Sequence, residues 1–318
     1  MKKILALILA LTVVFALAAC GGGDTNPTDA PNTGDAKPVV YFCISHMTNA
    51  WAVTASDSMK AAAEEQGVDL TVLEAGQDIN TQVSQIEMAV TNGAAVCIIE
   101  PVSAEGVLAA VKAAEEAGVH CIIYNQNISD PSAATCFVGV SNEDMGYMEM
   151  KNACESIGGK GNVALLLGPL GSEGQIGRSA GYDRALAEYP NVTVVFEEDA
   201  QWTTDAALKL VENWISTGKE INAVVSQNDN MALGAVKAFE DANMSGIPAY
   251  GVDAVDDALT AIQAGRLTAT VDQATPEQSR LAIEAAVKLA KGEAVDKEYL
   301  VEPARIDASN VDDYLKEA

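Results

Sequence analysis

The chain has 318 residues, 49% of them hydrophobic, and sets 45 acidic side chains against 19 basic ones for a formal charge of −26. A surface of that sign is repelled by phosphate backbones and anionic headgroups, which argues against nucleic acid and offers no long-range pull on anionic small molecules, so a neutral ligand fits better. The length behind the N-terminal segment exceeds what one compact core comfortably supports, so two domains are expected.

The N-terminus reads "MKKILALILALTVVFALAAC". Lys2 and Lys3 precede a run, Ile4 to Ala19, that is apolar apart from Thr12. That run is short for a membrane span, which needs ~20 residues. It ends in Leu17-Ala18-Ala19-Cys20, which resembles the lipobox of bacterial lipoproteins, where the cysteine is acylated and becomes the new N-terminus. Residues 1–19 are therefore expected to be a signal peptide, with Cys20 the lipidation site that anchors the chain to the extracytoplasmic side of the cell membrane. The alternative is an uncleaved single-span anchor. Residues 20–37 contain no large apolar side chain and read as a flexible tether.

From residue 38 one rhythm recurs. Apolar runs at 38–44, 68–73, 95–99, 119–124 and 135–139 form a first set, and runs at 162–167, 192–196, 222–226, 248–251 and 268–272 a second. Runs that are apolar at every position suit parallel strands covered on both faces. Ala-rich helical stretches lie between them and end at Gly67, Gly93, Gly118, Gly218, Gly265 and Gly292, residues suited to closing a helix in the left-handed conformation. Ser103 is the expected cap of the helix before Gly118. Two sets of about five strands imply an α/β fold of two doubly wound parallel-sheet domains. In such sheets ligands sit outside the carboxyl ends of the strands. Five cysteines remain besides Cys20; Cys43, Cys97 and Cys121 lie inside strand-like runs and are expected to be buried thiols rather than a disulfide framework.

Enzyme signatures are missing. Only two histidines exist; His120 begins an apolar strand, while His46 follows the first strand and stands where it can face a cleft. There is no GxSxG, HExxH, GxxxxGK[ST] or GxGxxG pattern and no Cys/His cluster with metal spacing, so neither catalysis, a metal nor a cofactor is expected.

The polar and aromatic residues after the apolar runs carry a resemblance. "QNDNMALGA", "YGVDA" and the region of Gln273, in that order and spacing, are similar to the type I periplasmic sugar-binding proteins, exported receptors that deliver monosaccharides to ABC importers. The resemblance covers essentially everything after residue 37. It implies a three-crossing hinge with a ligand cleft between the domains, the chain crossing near Ser141, Gln273 and Val301. The N-terminal lobe would comprise 38–141 plus 274–301, and the C-terminal lobe 142–273 plus 302–318. Residue by residue, it assigns ligand binding to Asn49 and Trp51 in "TNAW", Asn125 and Gln126 in "YNQN", Arg178 in "GQIGRSAGY", Trp202 in "QWTTDAA", Asn228 in "SQNDN", Asp253 in "GVDA", and Gln273. The chemistry is apt: indoles offer flat apolar surfaces to the C–H faces of a sugar ring, and amides and charged groups bond its hydroxyl rim. At the "QNDN" junction the expectation is that Asn228 bonds a hydroxyl while Asp229 caps the helix.

Departures bear on the ligand. Ribose-binding relatives have Asp-Arg where this chain has Asn125-Gln126, which removes a bidentate guanidinium contact. Asn125, Trp202 and "GVDA" look closer to the galactose/glucose branch. "ESIGGKGNV" lacks the spacing of that branch's calcium loop, and Ser172 and Gly174 replace polar residues that contact hexose there. The expectation is a lipid-anchored, monomeric receptor for a neutral hexose, pentose, polyol or cyclitol, presenting its ligand to a permease. A signalling receptor with the same fold, for chemotaxis or a furanose-type autoinducer, is the alternative; an exported sugar-converting enzyme is a third reading.

Overall fold

The computed structural model describes residues 37–244 and 246–315; residues 1–19, Cys20 and the tether up to residue 36 lie outside the described residues. The described chain begins with β1 (Val39–Ile44), α1 (Ala50–Gln66), β2 (Asp69–Glu74), α2 (Ile79–Thr91), β3 (Val96–Ile99), α3 (Leu108–Glu116), β4 (His120–Asn125) and β5 (Cys136–Val140). It continues with α4 (Asn142–Ser156), β6 (Lys160–Leu167), α5 (Glu173–Leu186), β7 (Asn191–Asp199), α6 (Thr204–Ser216), β8 (Ala223–Ser226), α7 (Asp229–Asp241), β9 (Ala249–Val252), α8 (Asp256–Gln263) and β10 (Ala269–Asp272). Helix α9 (Thr275–Ala290), the strands β11 (Glu298–Val301) and β12 (Ala304–Asp307), and the short α10 (Val311–Tyr314) complete it.

The strands form two sheets of six, in the orders β11-β5-β4-β3-β1-β2 and β12-β10-β9-β8-β6-β7. Their pairings are parallel except β10 with β12. Central strands such as β3, β8 and β9 are buried at every position, as helices on both faces require, whereas β2 at the sheet edge is only half-buried. The chain changes sheet three times, between Val140 and Asn142, between Asp272 and Thr275, and between Val301 and Ala304. The two strands beside the last crossing, β11 and β12, do not read as fully apolar runs because exposed positions interrupt them: Glu298 and Leu300 in β11 and Arg305 in β12. Each adds an edge to a different sheet.

Local signals act largely as their chemistry dictates. Gly67 closes α1 at φ 69° and its N–H reaches back to Ala63 and Glu64. Ser103 does not cap α3: that helix starts at Leu108 behind Val107, and the Ser103 hydroxyl accepts instead from Gly106 N at 3.2 Å in the preceding turn. The five cysteines among the described residues are free and buried, with Cys43 and Cys97 side by side at 3.8 Å between sulfurs. Trp214 is a core tryptophan, stacked on Phe196 with centroids 5.2 Å apart and donating to Glu198 at 2.6 Å. Among the described residues no helix is long and apolar enough to cross a membrane.

Candidate functional site

The carboxyl ends of the strands in both sheets meet at one narrow cleft, lined by His46, Asn49, Trp51, Asn125, Gln126, Gly174, Arg178, Trp202, Asn228 and Asp253. Eight of these are the residues that the resemblance assigns to ligand binding, and His46 is the histidine placed where it can face a cleft. Most sit at strand-to-helix junctions or in the first turn of the helix that follows, Arg178 lies one turn further into α5, and three hold strained backbone: Asn125 at φ 61°, Trp202 at φ 58° and Asp253 at φ 126°. Non-glycine residues adopt such angles at a cost that persists where the surroundings over-determine them, typically at binding and catalytic sites.

Several of the polar lining groups use part of their hydrogen-bonding capacity to fix themselves and keep the rest for a ligand. Asn49 caps α1, its Oδ1 accepting from Ala52 N at 2.9 Å, which leaves Nδ2 as a donor. The Asn125 amide nitrogen donates to Gln273 at 2.6 Å and to Gln278 at 3.3 Å, so its Oδ1 is the cleft-facing acceptor. Arg178 is clamped by Asn142 Oδ1 at 3.0 Å on Nε and by the Gln227 carbonyl on Nη1, leaving Nη2. Asp253 accepts from Gln273 at 2.5 Å on one oxygen only. His46 accepts on Nδ1 from Thr48, hydroxyl at 2.9 Å and N–H at 3.3 Å; the latter places the ring proton on Nε2. Burial drives the His46 imidazolium down to about 4, so it enters the site as a neutral donor. The result is a ring of donors from both sheets with two acceptors, a set that matches hydroxyls, which both donate and accept.

Carboxyls outnumber cations around this ring. Burial pushes Asp253 up to about 7 against the pull of Arg178 and Gln273, and pushes Glu149, behind Arg178, up to about 8. Asp229 is raised well above the ordinary carboxyl range by the same cause, aggravated by Asp253.

The structure reassigns several roles. Asn228, not Asp229, caps α7: its Oδ1 accepts from Met231 N at 2.9 Å, and its Nδ2 donates to the Trp202 carbonyl at 3.2 Å. Asp229 is the first residue of that helix and is wholly buried, holding Thr270 Oγ1 at 2.7 Å and Val255 N at 3.1 Å. Gln273 is not a lining residue; it sits behind Asn125 and Asp253 and ties one to the other. The indoles are fixed from behind. Trp51 donates Nε1 to Thr275 at 3.1 Å, and Trp202 lies against Gly168, where a Cβ would stand 2.0 Å from the ring. Arg178 covers part of Trp202, 5.6 Å from the ring centroid, so the two tryptophans do not act as a symmetric pair. Gly174 lines the cleft with backbone alone, and Glu100, one layer behind Gln126, had no sequence signal beyond following an apolar run.

The profile of the periplasmic binding protein domain matches residues 40–294. The chain belongs to this family. Among its relatives is the xylitol-binding protein of Mycolicibacterium smegmatis, 34% identical over 317 residues, which span 98% of this chain and 87% of that one. Similar solved structures include an ABC transporter solute binding protein from Bacillus halodurans with bound myo-inositol, at TM-score 0.85 and 30% identity over 90% of this chain and 100% of that one. Another, from Actinobacillus succinogenes with bound D-allose, has TM-score 0.83 and 29% identity over 87% of this chain and 100% of that one. Members of this family are binding proteins rather than enzymes and work outside the cytoplasm, and so does this chain.

Proposed function

We propose that the chain is the substrate-binding protein of an ABC importer and holds a neutral monosaccharide, polyol or cyclitol by closing two lobes around it. The observation that carries this reading is the convergence of Asn49, Asn125, Arg178, Asn228 and Asp253 on one cleft, each with polar atoms left over, beside two indoles. The names of its relatives support it, since they bind xylitol, myo-inositol and D-allose. The lobes we assign are 38–141 with 274–301, and 142–273 with 302–318, in keeping with the sheet each strand joins. Ligand touching both lobes favours the closed form, which then presents a surface to a permease. We further assign Cys20 as the lipid anchor of a monomer, on the strength of its lipobox-like surroundings.

The test is a thermal-shift screen of residues 20–318 carrying Cys20→Ser against monosaccharides, polyols and cyclitols. A ligand of the folded state adds RT ln(1 + [L]/Kd), ~4 kcal/mol at a thousandfold excess. One strong neutral hit supports the reading; silence across the panel refutes it. Intact mass of the membrane-extracted protein, with and without Cys20→Ser, reports the acyl chains.

A further inference from the structure

Gln126 lines the cleft, yet its amide is engaged at both ends by protein. Its Nε2 donates to Glu100 Oε1 at 2.6 Å, and its Oε1 accepts from Gly174 N at 3.0 Å. Glu100 follows β3 and Gln126 follows β4, both in the first sheet, while Gly174 lies in the first turn of α5, which belongs with the second. The bond from Gly174 therefore joins the two lobes directly, without ligand. A neighbouring bond, from Asn127 N to Glu173 at 3.4 Å, runs between the same two segments. Gly174 is the residue that makes room, since a Cβ there would stand 3.2 Å from Gln126 Oε1.

The chain of bonds has a direction. Ser45 N donates to Glu100 Oε2 at 2.8 Å, Gln126 donates to Glu100 Oε1, and Gly174 donates to Gln126. Glu100 thus receives two N–H groups, which suits an acceptor-only carboxylate. If its place were taken by a group with one donor and one acceptor, a donor would meet a donor somewhere along the chain. Turning the Gln126 amide over to relieve that clash would aim its NH₂ at the Gly174 N–H and break the link between lobes.

We propose that Glu100 is a positioning residue for cleft closure: it orients Gln126 as a clasp on Gly174, strengthening the grip on any ligand without touching it. Glu100 is fully buried and is not among the residues lining the cleft, so it has no direct route to the ligand. Its carboxyl is wholly desolvated and raised to about 7, opposed by the Ser45 and Gln126 bonds, so those two bonds are what favour its ionised form. The proposal rests on the binding reading above and goes beyond it in naming what stabilises the closed state.

The experiment, run at pH 8 where Glu100 is ionised, compares the wild type with Glu100→Gln, which keeps shape and volume but converts an acceptor into a donor. Calorimetry against myo-inositol, xylitol and D-allose is expected to show Kd raised about tenfold for each ligand that binds, by the same factor, because lowering the closed population scales every apparent affinity alike. Amide exchange at Gly174 is expected to be faster in the variant, with and without ligand. Unchanged affinities with unchanged Gly174 exchange overturn the proposal. So does a factor that differs between ligands, since that marks a ligand contact rather than a clasp. Should Glu100→Gln fail to fold, Gly174→Ala, which presses on Gln126 from the other lobe, is expected to speed amide exchange at residue 174 in the ligand-free protein, a readout that its place in the cleft lining does not confound, and unchanged exchange there overturns the proposal. If no ligand binds the wild type, the binding reading fails, and Gly174 exchange in the ligand-free proteins still decides the clasp.

Discussion

Asn228 closes a helix and faces a ligand cleft at once, and two substitutions separate the jobs. Its Oδ1 accepts from Met231 N at 2.9 Å, and its Nδ2 donates to the Trp202 carbonyl at 3.2 Å while keeping one hydrogen for the cleft. Asn228→Ala removes the cap, worth about 1 kcal/mol, and leaves the Trp202 carbonyl without its donor, about 1 kcal/mol more. The expected loss of unfolding free energy is therefore about 2 kcal/mol. Asn228→Ser retains the cap, because serine serves that position as well as asparagine, but its hydroxyl does not extend to the Trp202 carbonyl. Its expected loss is about 1 kcal/mol. Both variants lack Nδ2, so both are expected to bind ligand about tenfold more weakly, equivalent to about 1.4 kcal/mol. Urea unfolding measures the first pair of numbers and isothermal titration calorimetry the second. Wild-type affinity in Asn228→Ser would refute the reasoning and return the residue to capping alone, and equal stability of the two variants would refute the cap assignment.

Gly168→Ala is expected to weaken ligand binding at least tenfold and to alter tryptophan fluorescence, because its Cβ would fall 2.0 Å from the Trp202 ring and drive the indole into the cleft; an unperturbed emission spectrum would count against this. Gly146→Ala should cost about 1–3 kcal/mol of stability by overpacking α4 against α5, since its Cβ would meet the Arg178 carbonyl at 2.2 Å, and denaturant unfolding checks it. Stability should fall as pH rises from about 4.5 to about 8. Glu100, Glu149 and Asp253 have folded values raised to about 7, about 8 and about 7, so in that window the folded chain holds protons that the unfolded chain has released. Each group contributes a slope of up to about −1.4 kcal/mol per pH unit between its two values. Unfolding midpoints at pH 5, 6.5 and 8 test the sign, and a midpoint that climbs with pH would show these carboxyls ionised and well satisfied.

Much of the fold could be read from hydrophobic pattern because parallel strands covered on both faces leave a plain trace. Runs such as Val39 to Ile44 and Ala223 to Val225 are buried at nearly every position. The strands that escaped notice, β11 and β12, are sheet edges whose exposed positions break the run. Local chemistry misled at α3 for a related reason. Ser103 can satisfy a nearby N–H in a turn as readily as at a helix start, and the energy difference between the two is decided by packing several residues away.

At the cleft, residue type was legible and hydrogen-bond polarity was not. Asn228 and Asp253 follow apolar runs and Arg178 lies on a helix, positions that the family resemblance picked out, whereas what each amide or carboxyl does depends on partners far away in sequence. Gln126 shows the limit. A glutamine after a strand carries equal potential to bond a sugar hydroxyl, a cap or another side chain, and the choice was made by Glu100, 26 residues earlier, and Gly174, 48 residues later. Gln273 was moved behind the lining in the same way, by Asn125 and Asp253 each claiming one end of its amide. Both ends of an amide are engaged at low cost when the partners are pre-positioned by rigid strands, and here β3, β4 and β9 supply that rigidity. The atoms left over, rather than the residues present, then define what the cleft can hold. Donors or acceptors remain on Asn49, Asn125, Arg178, Asn228 and Asp253 beside the His46 N–H, and a rim of hydroxyls, each able to donate and accept, is the chemistry that complements such a mixed set.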